Sequence, residues 1–151
     1  MIVIRTLPRD APADARRIVT VAMNADDRRR VRRRLDAPDG QSFALELPTG
    51  TILREGQVLH LAGECAYVVS AAPEDVILIR PRNQAEAARV GHLIGNMHRD
   101  IDVQEDAIVA LWDDGLAERL RRTGVQVDRA RRPFHGNAPG EHSHAASPHR
   151  P

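Results

Sequence analysis

The sequence predicts an α+β protein: an N-terminal all-β domain of two small sheets, a C-terminal ferredoxin-like βαββαβ domain, and a disordered histidine-containing tail. Three observations predict it. Short apolar runs in the first half are broken at close intervals by Gly, Pro, Asp and Asn, the mark of strands joined by tight turns. After Pro73 the segments lengthen and run strand, helix, strand, strand, helix, strand, the split βαβ order. From about Pro133 the chain turns to Pro, Gly, His, Ser and Ala, which bury too little apolar surface to offset the entropy of ordering. The domains read from these shifts are 1–72, 74–132 and 133–151.

In the first domain Val19, Val21 and Met23 alternate with Thr20 and Ala22 as a strand, which Asn24, Asp26 and Asp27 break. Asp39 and Gly40 form a hairpin signal. Beyond it Phe43, Leu45 and Leu47 fall on one face, with Ala44 and Glu46 on the other. Pro48 and Gly50 turn the chain again. Residues 58–62 and 67–71 follow as short strands split by Gly63 and Glu64. Strands of this length must bury one face each, which predicts two sheets packed face to face.

In the second domain Val76, Ile77, Leu78 and Ile79 form a buried-strand run ended by Pro81. Residues 83–94 have helical composition, with Asn83 as N-cap and Gly95 as the stop. Residues 101–103 and 107–111 are strand segments. Asp113 caps a second helix over 115–122, Thr123 and Gly124 end it, and residues 125–127 are the last strand.

Composition narrows the chemistry. Hydrophobic residues make up 42% of the 151 but aromatics only 3%, so the cores are built from Val, Ile, Leu and Ala. All 22 basic residues are Arg, which excludes a lysine Schiff base or a phosphate-loop lysine. The single cysteine, Cys65, allows neither an internal disulfide nor a thiolate metal cluster; its turn-to-strand setting reads as a small buried residue. No segment approaches the roughly 18 apolar residues of a membrane span, and no secretory leader pattern opens the chain. The expectation is a soluble cytoplasmic protein with no membrane partner. No nucleophile elbow, His-Glu-x-x-His motif or glycine-rich phosphate loop occurs, so no enzyme is expected.

The histidines are distributed unevenly. Four of seven, His135, His142, His144 and His149, fall in the last seventeen residues. Imidazole is the side chain best suited to nickel, copper or zinc, and binds as the neutral base. His142 and His144 can turn toward one ion, with His135, His149 and Glu141 near along the chain. His98 stands in a polar turn after the first helix, where tail histidines or a second His98 in a symmetric dimer could join it. His60 and His92 read as structural. Arg28 to Arg34 forms a run of six arginines interrupted by Val31. It reads as a solvated edge strand that discourages sheet-to-sheet aggregation. The alternative is an Arg-rich nucleic-acid or protein-binding module without a metal role. Nucleic acid is not the expected partner, because no aromatics interleave to stack bases.

The stretch from Leu45 to Leu59, through Leu47, Pro48, Gly50, Thr51, Leu53 and Gly56, is similar to the L-x-L-P-x-G-T-x-L-x-x-G-D-x-L pattern of the UreE family of urease accessory proteins. Gly95, Asn96 and His98 resemble that family's G-N-x-H motif, and Phe134 before a histidine-bearing tail resembles its C-terminus. The resemblance spans nearly the whole chain. It implies a nickel metallochaperone with a β-domain likened to peptide-binding modules and a ferredoxin-like metal-binding domain. It further implies a homodimer in which the G-N-x-H histidine of each subunit meets one Ni²⁺ ion. On that resemblance His98 is the central ligand, and His135, His142, His144 and His149 are the tail ligands. Zn²⁺ or Cu²⁺ could substitute in vitro, and the delivery partner is the urease apoprotein with its accessory proteins. Many members carry a histidine near the start of the second helix in a D-H-x-L context; here Asp113, Asp114, Gly115 and Leu116 stand there.

Overall fold

The computed structural model describes residues 1–9 and 17–136. His142, His144 and His149 lie outside the described residues. The chain divides into two compact units, one of Met1–Glu74 with Arg131–His135, the other containing Asp75–Ala130.

The first unit opens with β1 (Ile2–Ile4), β2 (Arg17–Met23) and a short helix α1 (Ala25–Arg29). It continues with β3 (Arg32–Asp36), β4 (Ser42–Glu46), β5 (Val58–Ala62) and β6 (Cys65–Ala71). The strands form two three-stranded sheets, ordered β1-β4-β3 and β2-β6-β5. Each contains one antiparallel hairpin, β3 with β4 and β5 with β6. Each gains a parallel third strand, β1 on β4 and β2 on β6. The β3–β4 hairpin turns at Gly40, whose φ of 87° is open to glycine at no steric cost. Ala37 N–H to Gln41 O (2.8 Å) and Gly40 N–H to Ala37 O (2.9 Å) close it.

Period-two burial drives the two sheets together. Val19, Val21 and Met23 of β2 are buried while Ile18, Thr20 and Ala22 are exposed. These residues share one core with Leu59, Tyr67 and Val69 of their own sheet and Ile4, Leu35, Phe43 and Leu45 of the other. Phe43 is fully buried at the centre, edge-on to Tyr67 at 4.9 Å between ring centroids.

Two elements depart from the sequence reading. β1 has no counterpart in the sequence expectation: three residues with a distant parallel partner carry no local turn signal. The segment read as a break after Met23 is α1. The Asn24 side chain accepts from Asp27 N–H at 2.7 Å, Asp26 and Asp27 face the positive helix start, and Arg28 and Arg29 the negative end. This helix divides the arginine run: Arg28 is buried and only Arg32–Arg34 lie on the edge strand β3. Cys65, read as buried, is half-buried at the first position of β6; its neighbour Ala66 takes the inward place.

The later part of the chain runs β7 (Pro73–Arg80), α2 (Gln84–Asn96), β8 (Asp102–Val103), β9 (Ile108–Leu111), α3 (Asp114–Arg122) and β10 (Gln126–Pro133). Its sheet order, β10-β7-β9-β8, is that of the ferredoxin-like βαββαβ arrangement. Ile77 and Ile79 of β7 and Ile108 and Ala110 of β9 pack with Val90 and Ile94 of α2 and Leu116 and Leu120 of α3. On α3 the apolar face (Leu116, Ala117, Leu120) is buried, and Arg119, Arg121 and Arg122 occupy the last turn, where they complement the helix dipole. β10 extends well past the short strand read at 125–127, because its charged residues Asp128, Arg129, Arg131 and Arg132 leave no apolar period-two pattern.

Candidate functional site

The loop after α2 is built by a specific helix ending. Gly95, expected to stop the helix, stays inside it. Met97 is the C-cap, and the residue that turns the chain is His98, with φ of 53°. His98 N–H donates to Gly95 O at 2.9 Å, and Arg99 N–H donates to Ile94 O at 3.3 Å. This pair of bonds is the Schellman motif, which puts His98 at the left-handed position usually held by glycine. An L-residue in left-handed helical backbone costs about 1–2 kcal/mol. His98 is the one non-glycine residue with positive φ among the described residues. Histidine belongs to the small group of residues enriched in this conformation, so the turn tolerates it while aliphatic β-branched residues would strain it.

The backbone around His98 is held from both sides. Met97 and Ile101 pack against the core of the ferredoxin-like unit. The Arg99 guanidinium donates to Asp113 Oδ2 at 2.9 Å, while Asp113 Oδ1 accepts from Leu116 N–H at 2.8 Å as the N-cap of α3. One carboxylate thus ties the His98 turn to the start of α3. His98 itself is exposed. The fixed backbone thus carries a solvent-exposed imidazole.

At the start of α3, Asp114 accepts from Trp112 Nε1 at 2.9 Å. The Trp112 ring lies under two guanidinium groups, Arg129 at 4.4 Å and Arg121 at 5.9 Å from its centroid. The carboxylate at the position where histidine was noted in the resembling family is therefore engaged with tryptophan.

His135 is exposed and lies in the first unit, directly after the fully buried Phe134. The Phe134 carbonyl accepts from the Arg28 guanidinium, which is buried with it. Burial lowers the Arg28 pKa, and the carboxylates of Glu74 and Glu55 oppose that shift. His60 packs near Phe43 at 5.8 Å, and His92 Nε2 lies 3.0 Å from Asn96 Nδ2 on the surface of α2. Among the described residues no group of three or more His, Cys, Asp or Glu side chains is gathered to hold a metal ion. His98 and His135 belong to separate units, and the described residues assemble no ligand set of three or more around either. Sequence reasoning missed the clamp of Arg99 on Asp113 and the Arg28 contact with Phe134. The one available signal was Phe134 itself, one of only two phenylalanines, standing in a segment otherwise poor in large apolar residues.

Fold and turn together define a two-unit α+β protein that exhibits a histidine at its surface instead of enclosing it in a cleft. Residues 3–72 match the family description "UreE urease accessory protein, N-terminal domain", and residues 74–151 match "UreE urease accessory protein, C-terminal domain". A Urease accessory protein UreE of Deinococcus radiodurans is 51% identical over 124 residues, covering 82% of this chain and 80% of that protein. One from Synechococcus sp. is 48% identical over 127 residues, covering 84% and 85% respectively. One from Paraburkholderia xenovorans is 35% identical over 137 residues, covering 89% of this chain and 61% of its own length. The chain belongs to the UreE family of urease accessory proteins, and it is an accessory protein and not an enzyme.

Proposed function

We propose that this chain carries Ni²⁺ and delivers it for assembly of the urease metallocentre, working as a homodimer in the cytoplasm. His98 is the central ligand, shared between two copies, and His135, His142, His144 and His149 complete or open the coordination shell. The observation that carries this reading is the exposed His98 held at a left-handed helix cap by Asp113 and Arg99. A cargo must leave as well as bind, and a ligand at the surface allows exchange with a receiving protein. Imidazole binds a metal ion as the neutral base, so acidification weakens binding. By the Irving–Williams order Cu²⁺ binds such nitrogen sites more tightly than Ni²⁺. Zn²⁺ also accepts imidazole, so selectivity for nickel rests on supply and partner.

The test is a calorimetric nickel titration of the protein and of His98→Ala, with molecular mass measured alongside. The expected result is about one tight nickel per dimer, lost in the variant. Equal stoichiometry and affinity in the two proteins would overturn the role of His98.

A further inference from the structure

We propose that the outer face of the β1-β4-β3 sheet is a docking cleft for an extended acidic segment of a partner protein. The cleft has a volume of about 500 Å³, and its walls include Arg5, Arg32, Arg34, Ala44 and Glu46. The register explains how these residues meet. Arg32 stands opposite Glu46 and Arg34 opposite Ala44 across the β3–β4 pair, while Val3 stands opposite Ala44 on the other side. Cross-strand partners share a face, so Arg32, Arg34, Glu46, Ala44 and Val3 look outward together. Val3 is 41% exposed, which gives the face an apolar patch beside its charges.

The charges do not cancel. Glu46 is paired with Arg5 at 3.0 Å, and Arg33 is paired with Asp27 on α1. Arg32 and Arg34 are exposed, and neither guanidinium makes a hydrogen bond or ion pair among the described residues. Asp36, next along the same face of β3, is occupied by the Ser42 hydroxyl at 2.5 Å. Two free guanidinium groups therefore stand side by side on one strand. Their separation along the strand is two residues, about 7 Å, the repeat of alternate side chains in any extended segment. Carboxylates at every second position of such a segment would meet both guanidiniums in register, each through a bidentate pair. β3 is also an edge strand, with β4 its one neighbour in the sheet.

Edge protection alone asks only for charge along the edge strand. Here Arg5, just past the end of β1 at the opposite side of the sheet, pairs with Glu46, which thus has Arg32 of β3 on one side and Arg5 on the other. An acidic protein segment fits this face better than nucleic acid does. The cleft wall carries no aromatic ring for stacking bases, and a chain of net charge +1 creates no broad positive field to draw a polyanion.

The test uses the full chain and a short fluorescent peptide with glutamate at alternate positions, read by anisotropy. The same peptide with glutamine replacing glutamate, and a random single-stranded oligonucleotide, serve as comparisons. The proposal expects binding of the glutamate peptide that weakens with added salt. It expects at least about a tenfold loss in Arg32→Glu/Arg34→Glu and a smaller loss in Arg32→Gln/Arg34→Gln, the milder pair guarding against misfolding. Nickel titration of both variants should match that of the parent chain, which separates this surface from the metal role. Equal affinity for the glutamine peptide, undiminished peptide binding in both variants, or tighter binding of the oligonucleotide than of the glutamate peptide would each overturn it.

Discussion

His98 occupies a backbone conformation that most side chains avoid, and that fact separates its structural role from its chemical one. The left-handed φ of 53° is needed to complete the two terminal hydrogen bonds of α2, whatever side chain sits there. Glycine meets that need without strain, although it gives up more freedom on folding. His98→Gly should therefore leave the stability within about 1 kcal/mol of the parent. His98→Val should destabilise it by roughly 1 kcal/mol, since β-branched side chains are far less tolerated than histidine in left-handed backbone. Chemical denaturation measures both. A His98→Val variant as stable as the His98→Gly one would show that the turn relaxes and carries no left-handed strain. Sequence alone ranked His98 as a ligand through the G-N-x-H resemblance. It could not supply the left-handed cap, because Gly95 was the more obvious helix stop. The helix continues past Gly95, and Ile94, at the C3 position of the motif, both lends its carbonyl to the cap and sits fully buried in the core.

At the scale of elements, the start of α2 shows how a charged pair is set by local geometry. The Asn83 side chain accepts from Glu86 N–H at 2.9 Å, and the Glu86 carboxylate reaches back to the Arg82 backbone N–H at 2.6 Å and to its guanidinium at 2.7 Å. The resulting reciprocal cap resembles a capping box shifted by one residue. The hydrogen bonds from Arg82 hold the Glu86 carboxyl below the usual carboxylate range. A depressed pKa means that the folded state favours the ionised form. The stabilisation is present above the ordinary value of about 4.3 and is lost as pH falls through the lowered value in the fold. Glu86→Gln should melt at a lower temperature than the parent near neutral pH, and the gap should close below about pH 4. Melting curves across that range decide it; a gap independent of pH would mean that the carboxylate charge contributes nothing. Elements with local signals were legible in this way: Asn83 and Asp113 as caps, Asp39 and Gly40 as a hairpin, the α3 apolar face. β1, α1 and the end of β10 were not. β1 depends on a parallel partner far away in the chain, and α1 is stabilised by charges that read locally as a break. Phe134 is buried among residues whose composition suggested none would be; it follows directly on β10, and its carbonyl accepts from the buried Arg28 guanidinium.

At the scale of the molecule, a metal site must find ligands that one described chain does not gather. Among the described residues no group of three or more potential ligands includes His98, and His135 belongs to the other unit. On the proposed function, the additional ligands would come either from a second copy or from the C-terminal histidines. These two sources depend differently on concentration. A ligand in the same chain is present at a fixed effective concentration, set by the length of chain that connects it. A ligand in a second copy disappears when the dimer dissociates. A two-fold axis passing near His98 would place it opposite its own counterpart, and with a net charge of +1 there is little self-repulsion to oppose such pairing. The proposed function therefore expects tight nickel binding at about one ion per two chains, with an affinity that weakens on dilution in step with the loss of dimer mass. Binding and mass followed together over a dilution series decide the matter. One tight ion per chain, with affinity independent of protein concentration, would assign the site to a single subunit and its tail and would remove the shared His98 pair from the mechanism.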